Sequence, residues 1–185
     1  LVVGRSEESR RLRAFYGTLR PVLGEGADEG PIDAILARSD VTRLGLETLF
    51  HDLEAHPQWF GSTSESTHRL HRLLEELRHD IPTRFRERLP SLEIWPDRVG
   101  ECRPLIGEGR VFLPDDEEMV ALFSRAPFLD ARLLDARHLR DIDVPSVGAD
   151  ALVEALSNTS QGALTLDIEP ANIEKSLDYL CRHLR

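Results

Sequence analysis

Apolar residues recur at helical spacing in short runs along the first half of the chain, and prolines cut the runs apart. Leu12, Phe15, Tyr16 and Leu19 precede Pro21; Leu46, Leu49, Phe50 and Leu53 precede Pro57; Leu70, Leu73, Leu74 and Leu77 precede Pro82. Proline offers no backbone N–H and clashes with the turn before it, so helices end there. Each run is one amphipathic helix that buries a single stripe. Ser6 ahead of Glu7 and Glu8 marks the first helix start, with acids at the positive end of the dipole. Gly24 to Pro31 is a loop, Ile32, Ile35 and Leu36 mark a short helical segment, and Gly61 to Thr67 reads as a polar connection. Pro82 and Pro90 bracket another short helical piece.

The character changes near Leu92. Leu92-Glu93-Ile94-Trp95 alternates apolar and polar residues and closes on Pro96-Asp97, the pattern of a strand and turn. Cys102 to Ile106 and Arg110 to Leu113 read as further short strands around Gly107-Glu108-Gly109, making a small antiparallel meander over about residues 92–113. Asp115 to Glu118 place acids on the first turn of a helix with Met119, Val120, Leu122 and Phe123. Pro127 to Leu139 is turn-rich, Ala151 to Leu156 helical, Ala163 to Ile168 a candidate strand and Ala171 to Arg185 a final helix. The expected fold is α+β, mostly helical with one small antiparallel sheet. Residues 1–185 read as a single domain, with residues 1–90 the helical part and 91–185 the mixed part. The opening Leu1-Val2-Val3-Gly4 lacks an initiator methionine and suggests a fragment of a larger chain.

Charge narrows the function classes. With 33 acids against 23 bases the net charge is −10, which opposes nonspecific nucleic-acid binding. Every base except Lys175 is arginine, and Lys175 lies in a predicted helix, so no phosphate-cradling Gly-Lys-Ser/Thr loop is present. No apolar run approaches the ~20 residues of a membrane span. Two cysteines, Cys102 and Cys181, suit a reducing, cytoplasmic compartment rather than a disulfide scaffold.

The best metal candidate is His68, His71, Glu75 and His79, which fall within roughly 80° of arc on one helix face. Side chains of these types ligate zinc or iron. Leu70, Leu73, Leu74 and Leu77 occupy the opposite face, so the histidines are expected to face solvent among Arg69, Arg72 and Arg78. His51, Glu54 and His56 lack the spacing of a His-Glu-x-x-His site. Asp115 to Glu118 lack the alternating ligands and central glycine of a calcium loop. Asp141 and Asp143 form one Asp-x-Asp, common in loops, and the glutamates of Gly24-Glu25-Gly26 and Gly107-Glu108-Gly109 would repel phosphate. Cys181 sits on an apolar stripe with Ile173, Leu177, Leu180 and Leu184 and is expected to be core. Cys102 has no partner histidine in sequence, Trp59-Phe60 could be core or interface, and Trp95 is expected in the core. No catalytic, cofactor-binding or metal-ligating residue is assigned.

Leu89-Pro90-Ser91-Leu92-Glu93-Ile94-Trp95-Pro96, the turn at Gly100 and Arg110-Val111-Phe112-Leu113-Pro114 form one recognisable pattern. Phe128-Leu129-Asp130 and Leu139-Arg140-Asp141-Ile142-Asp143-Val144-Pro145-Ser146-Val147 continue it. Together they resemble a unit of sacsin-like proteins, very large chains that carry a gyrase/chaperone/histidine-kinase-type ATPase domain. The resemblance covers about a third of the chain and rests on structural motifs, and no position matches the nucleotide-binding residues of that family. It implies a noncatalytic structural or interaction module of a large ATPase-linked, chaperone-like or scaffold protein; the expected partners are proteins or neighbouring domains of the same chain, with no cofactor, and the charge and the lack of an apolar span argue against nucleic acid and membrane. The alternatives are an independent metal-dependent enzyme using the His/Glu cluster, or a small adaptor domain.

Overall fold

The computed structural model describes residues 2–3, 7–17, 19, 22, 43–61, 63–142, 144, 146–157 and 168–183. The expectations for Ser6, for 24–31, for the helical segment at Ile32, Ile35 and Leu36, for Asp143, for 163–167 and for Leu184 lie outside these residues.

Strand β1 (Val2–Val3) leads to helix α1 (Glu7–Tyr16), and β1 pairs in parallel with β2 (Arg43–Leu44). Helices α2 (Leu46–Ala55) and α3 (Gln58–Gly61) follow, then α4 (Ser64–Leu77) and α5 (Thr83–Arg86). The expected stripes are the buried ones: Leu12 and Tyr16 from α1, Leu46, Leu49, Phe50 and Leu53 from α2, and Leu70, Leu73, Leu74 and Leu77 from α4. Phe60 from α3 and Phe85 from α5 complete this core, with Phe85 stacked on Phe50 at 4.3 Å between ring centres.

The polar stretch after Gly61 is shorter than its composition suggests. Thr63 is the N-cap of α4: its hydroxyl accepts from the Ser66 amide at 3.1 Å, and the Ser66 hydroxyl accepts from the Thr63 amide at 3.1 Å. This reciprocal pair satisfies two N-terminal donors and starts the helix at Ser64, inside the expected connection.

A 3₁₀ turn (Leu89–Ser91) precedes strand β3 (Trp95–Pro96), which pairs antiparallel with β4 (Cys102–Arg103). The antiparallel pair within 92–113 is therefore present but only two residues deep, because Leu92 to Ile94 form a turn. Buried Asp97 builds the hairpin. Its Oδ1 accepts from the amides of Val99 and Glu101, both at 2.9 Å, and its Oδ2 accepts from Arg103 Nε at 3.1 Å. Gly100 turns the chain at φ +91°, a region that favours glycine.

The third expected strand takes a different partner. Strand β5 (Leu113–Pro114) leaves the hairpin and pairs in parallel with β6 (Ser146–Val147). Between them lie helix α6 (Glu117–Leu122), a 3₁₀ turn (Ala131–Leu133) and the short helix α7 (Arg137–Arg140). Asp116 caps α6 through its Oδ1, which accepts from the Met119 amide at 2.9 Å. Helix α8 (Ala149–Leu156), a 3₁₀ turn (Pro170–Asn172) and helix α9 (Ile173–His183) close the described chain. The architecture is α+β and mostly helical.

A second apolar cluster forms from Met119, Leu122, Phe123, Phe128, Val147, Leu152 and Tyr179. Phe128 belongs to it while Leu129, the next residue, belongs to the first core, so this extended stretch joins the two. Helix α9 corrects the sequence reading. Its buried residues are Ser176 and Tyr179, whereas Ile173, Leu177 and Cys181 are exposed. The Tyr179 hydroxyl donates to Asp116 Oδ2 at 2.9 Å and the Ser176 hydroxyl to the Asn172 carbonyl at 2.8 Å, so both polar groups go inward satisfied.

Candidate functional site: a buried histidine chain beside a surface groove

Helix α4 carries His68, His71, Glu75 and His79 on one face, and the structure divides them. His79 is exposed, as expected, and accepts from Arg78 Nε at 3.0 Å. His68 is half-buried, with Nε2 3.8 Å from Asp130 Oδ2. His71 is the correction: it is 2% exposed rather than solvent-facing. At about 100° per residue, position 71 lies only ~60° from Leu74, at the margin of the apolar stripe. The β3 hairpin and α7 pack over that margin and turn it into interior, with the Trp95 ring centre 4.9 Å from that of His71.

His138, on α7, comes from 67 residues away to meet His71. His71 Nδ1 lies 3.0 Å from His138 Nε2, and His71 Nε2 lies 2.9 Å from the Ile94 carbonyl oxygen. The far nitrogen of His138, Nδ1, is 3.0 Å from Glu75 Oε2, which also accepts the His138 backbone N–H at 2.9 Å. One continuous chain thus runs from the Glu75 carboxylate through two imidazoles to a backbone carbonyl. The Trp95 ring lies within 5.9 Å of the His138 ring centre and donates its own Nε1–H to the Leu89 carbonyl at 3.0 Å.

Electrostatics orders these groups. Burial of His71, reinforced by the neighbouring His138 ring, brings its pKa down to about 3. Burial also lowers His138, against the opposing pull of the Glu75 carboxylate. Burial alone would raise Glu75, but the ring and backbone donors of His138 outweigh it and hold the carboxyl below its ordinary value. Glu75 therefore stays ionised, and His138 is the more basic ring of the pair.

Among the described residues no three His, Cys, Asp or Glu side chains are arranged to hold a metal ion. The remaining sequence candidates stay apart. His51 and Glu54 are exposed on α2, with Glu54 paired to Arg88 at 2.6 Å, and His56 stacks on Trp59 at 4.1 Å. Trp59 is 36% exposed while its neighbour Phe60 is buried, so the pair divides between surface and core. Cys102 is half-buried with Sγ 3.7 Å from Thr67 Oγ1, and burial raises its thiol pKa. Gly107 and Gly109 take positive φ in an exposed turn around Glu108. Cys102 and Cys181 are both free thiols.

Beside the histidine chain a groove of about 450 Å³ opens between β5, α6, residues 131–142 and Val144. Leu113, Val120, Leu134, Leu139, Ile142 and Val144 are its apolar lining. Arg98, Arg140, Asp115, Asp116 and Glu117 line it as well. The Ser146 hydroxyl donates to Asp115, and the Tyr179 hydroxyl and Met119 amide donate to Asp116. These acids are therefore held in place by the fold. Sequence alone does not mark His138, Asp130 or this groove, because each arises from segments far apart in the chain.

Among the described residues no helix is long and apolar enough to cross a membrane. No protein-family model, curated protein or solved structure matches the chain.

Proposed function

We propose that this chain is a noncatalytic interaction module of a large ATPase-linked, chaperone-like or scaffold protein, working in a reducing, cytoplasmic compartment. It acts by holding a protein segment, from a partner or a neighbouring domain, in the groove beside α7. The groove carries this reading. Its volume of about 450 Å³ lies within the roughly 300–1,000 Å³ typical of binding pockets, and a lining of apolar and charged residues suits a side-chain anchor plus a polar flank. Asp115 and Asp116, held by hydrogen bonds, with Glu117 beside them and a net charge of −10, favour a basic flank on the occupant. The same negative charge disfavours nucleic acid. The groups best able to do acid–base chemistry, His71 and His138, are buried against one another and occupied by Glu75 and the Ile94 carbonyl, which supports a structural use for them. The free thiols support the reducing compartment.

The test is selection of displayed random peptides against the purified chain, followed by amide-shift mapping of the winners. The expected winners carry a large apolar residue next to Arg or Lys, shift the amides of Leu134, Leu139, Ile142 and Val144, and lose binding in Val144→Glu with the fold intact by circular dichroism. Winners that map to another surface, or that bind Val144→Glu unchanged, overturn the reading.

A further inference from the structure

The chain from Glu75 to Ile94 contains three links: carboxylate to His138, His138 to His71, and His71 to carbonyl. Each link needs one proton between its two heavy atoms. The Ile94 oxygen only accepts, so the Nε2 proton of His71 is committed to it. The Glu75 carboxylate only accepts, so the Nδ1 proton of His138 is committed there. Two neutral imidazoles have no further N–H to give. The middle link, 3.0 Å long, then brings two lone pairs face to face. A third proton turns that contact into an N–H···N hydrogen bond.

We propose that His71 and His138 form a one-proton latch, which takes up a single shared proton on mild acidification and thereby ties α7 to α4. The proton goes to His138, whose other nitrogen faces the Glu75 carboxylate, and His138 donates it to Nδ1 of His71. A second proton would have to enter at Nδ1 of His71, which already accepts from His138 Nε2–H, and would set two N–H groups against each other. The surrounding groups set the balance. From α4 they are Glu75, Arg78 and His68; from the stretch before α7, Asp130 with its partner Arg132; and from the end of α7, Asp141, which favours charge on His138. Trp95 covers both rings, so no bulk anion compensates the charge and Glu75 is the counter-ion. Burial lowers both rings, which places the uptake on the acid side of the ordinary imidazole value. Two rings sharing one proton titrate as a pair with a common midpoint. The latched stretch supplies Leu134, Leu139, Arg140 and Ile142 to one wall of the groove, but the latch itself stands without any ligand there.

The experiment is a long-range ¹H–¹⁵N titration of the imidazole nitrogens in the full labelled chain from pH 8 to pH 5. The latch predicts one midpoint below pH 6.5 shared by His71 and His138, uptake of one proton, and a nitrogen–nitrogen coupling between Nδ1 of His71 and Nε2 of His138 that grows as the proton enters. Glu75→Gln, at a partly exposed position, should move the shared midpoint down by about one pH unit or more. Independent midpoints for the two rings, an unmoved midpoint in Glu75→Gln, or loss of the native amide spectrum before any uptake would overturn the latch.

Discussion

Acid should weaken this fold through His71, and the size of the effect follows from where the ring sits. Its pKa in the fold is about 3, against an ordinary value of 6.5, because burial disfavours the imidazolium. The unfolded chain therefore binds more protons than the folded one between those values. The stability contributed by this neutral ring is fully present above pH 6.5 and is lost as pH falls toward 3. At about 1.4 kcal/mol per unit, falling from pH 8 to pH 5 costs about 2 kcal/mol from this residue. With a urea dependence of about 2 kcal/mol per molar, the unfolding midpoint should drop by about 1 M from this ring alone. The control is His71→Phe, which keeps a flat ring beside Trp95 but cannot titrate. That variant loses the bond to Ile94 and starts less stable at pH 8, so the comparison is of slopes, not of absolute values. Urea melts at both pH values should show the wild type losing about 2 kcal/mol more than His71→Phe over the interval. Equal losses in the two proteins would refute the reasoning, and so would a wild type that gains stability on acidification.

Two core predictions are independent of the histidines. Tyr16 and Asp52 are both buried, and the tyrosine hydroxyl donates to Asp52 Oδ2 at 2.9 Å, so Tyr16→Phe should cost about 2 kcal/mol in urea unfolding; a cost below a few tenths would mean that this bond is not formed. A Cβ on Gly61 would lie 2.9 Å from Cys102 Sγ, so Gly61→Ala should cost about 1–3 kcal/mol, and adding Cys102→Ala should recover much of it. Strictly additive effects of those two substitutions would contradict the close approach.

The helical stripes were legible because burial there depends on one local periodicity. Leu49, Phe50 and Leu53 in α2, and Leu70, Leu74 and Leu77 in α4, are all fully buried, and Trp95 is in the core as expected. What failed was the inference that the far side of α4 is solvent. One periodic stripe reports one packing partner, and α4 has two: the first core on its leucine side, and β3 with α7 over the His71 margin. His138 carries no local sign of its role, since its partners are 67 and 63 residues away. Helix α9 misled for a related reason. Ile173, Leu177 and Cys181 form a clean stripe, but Tyr179 reaches Asp116 at the start of α6, and small Ser176 is buried beside it. A buried tyrosine and serine outscore a hydrophobic stripe once their hydroxyls find acceptors. The third strand of the expected meander was misassigned because β5 pairs with residues more than thirty positions on, and long-range parallel pairing leaves no turn signature to read.

Helix α4 turns His71 inward while His79 stays in water. Brief treatment of the native chain at neutral pH with diethyl pyrocarbonate, read by peptide mass spectrometry, tests that directly. His79 and His51 should be carbethoxylated rapidly, and His71 and His138 should remain unmodified until the chain is unfolded in urea. Modification of His71 in the native protein at a rate close to that of His79 would contradict the buried histidine chain and the reading built on it.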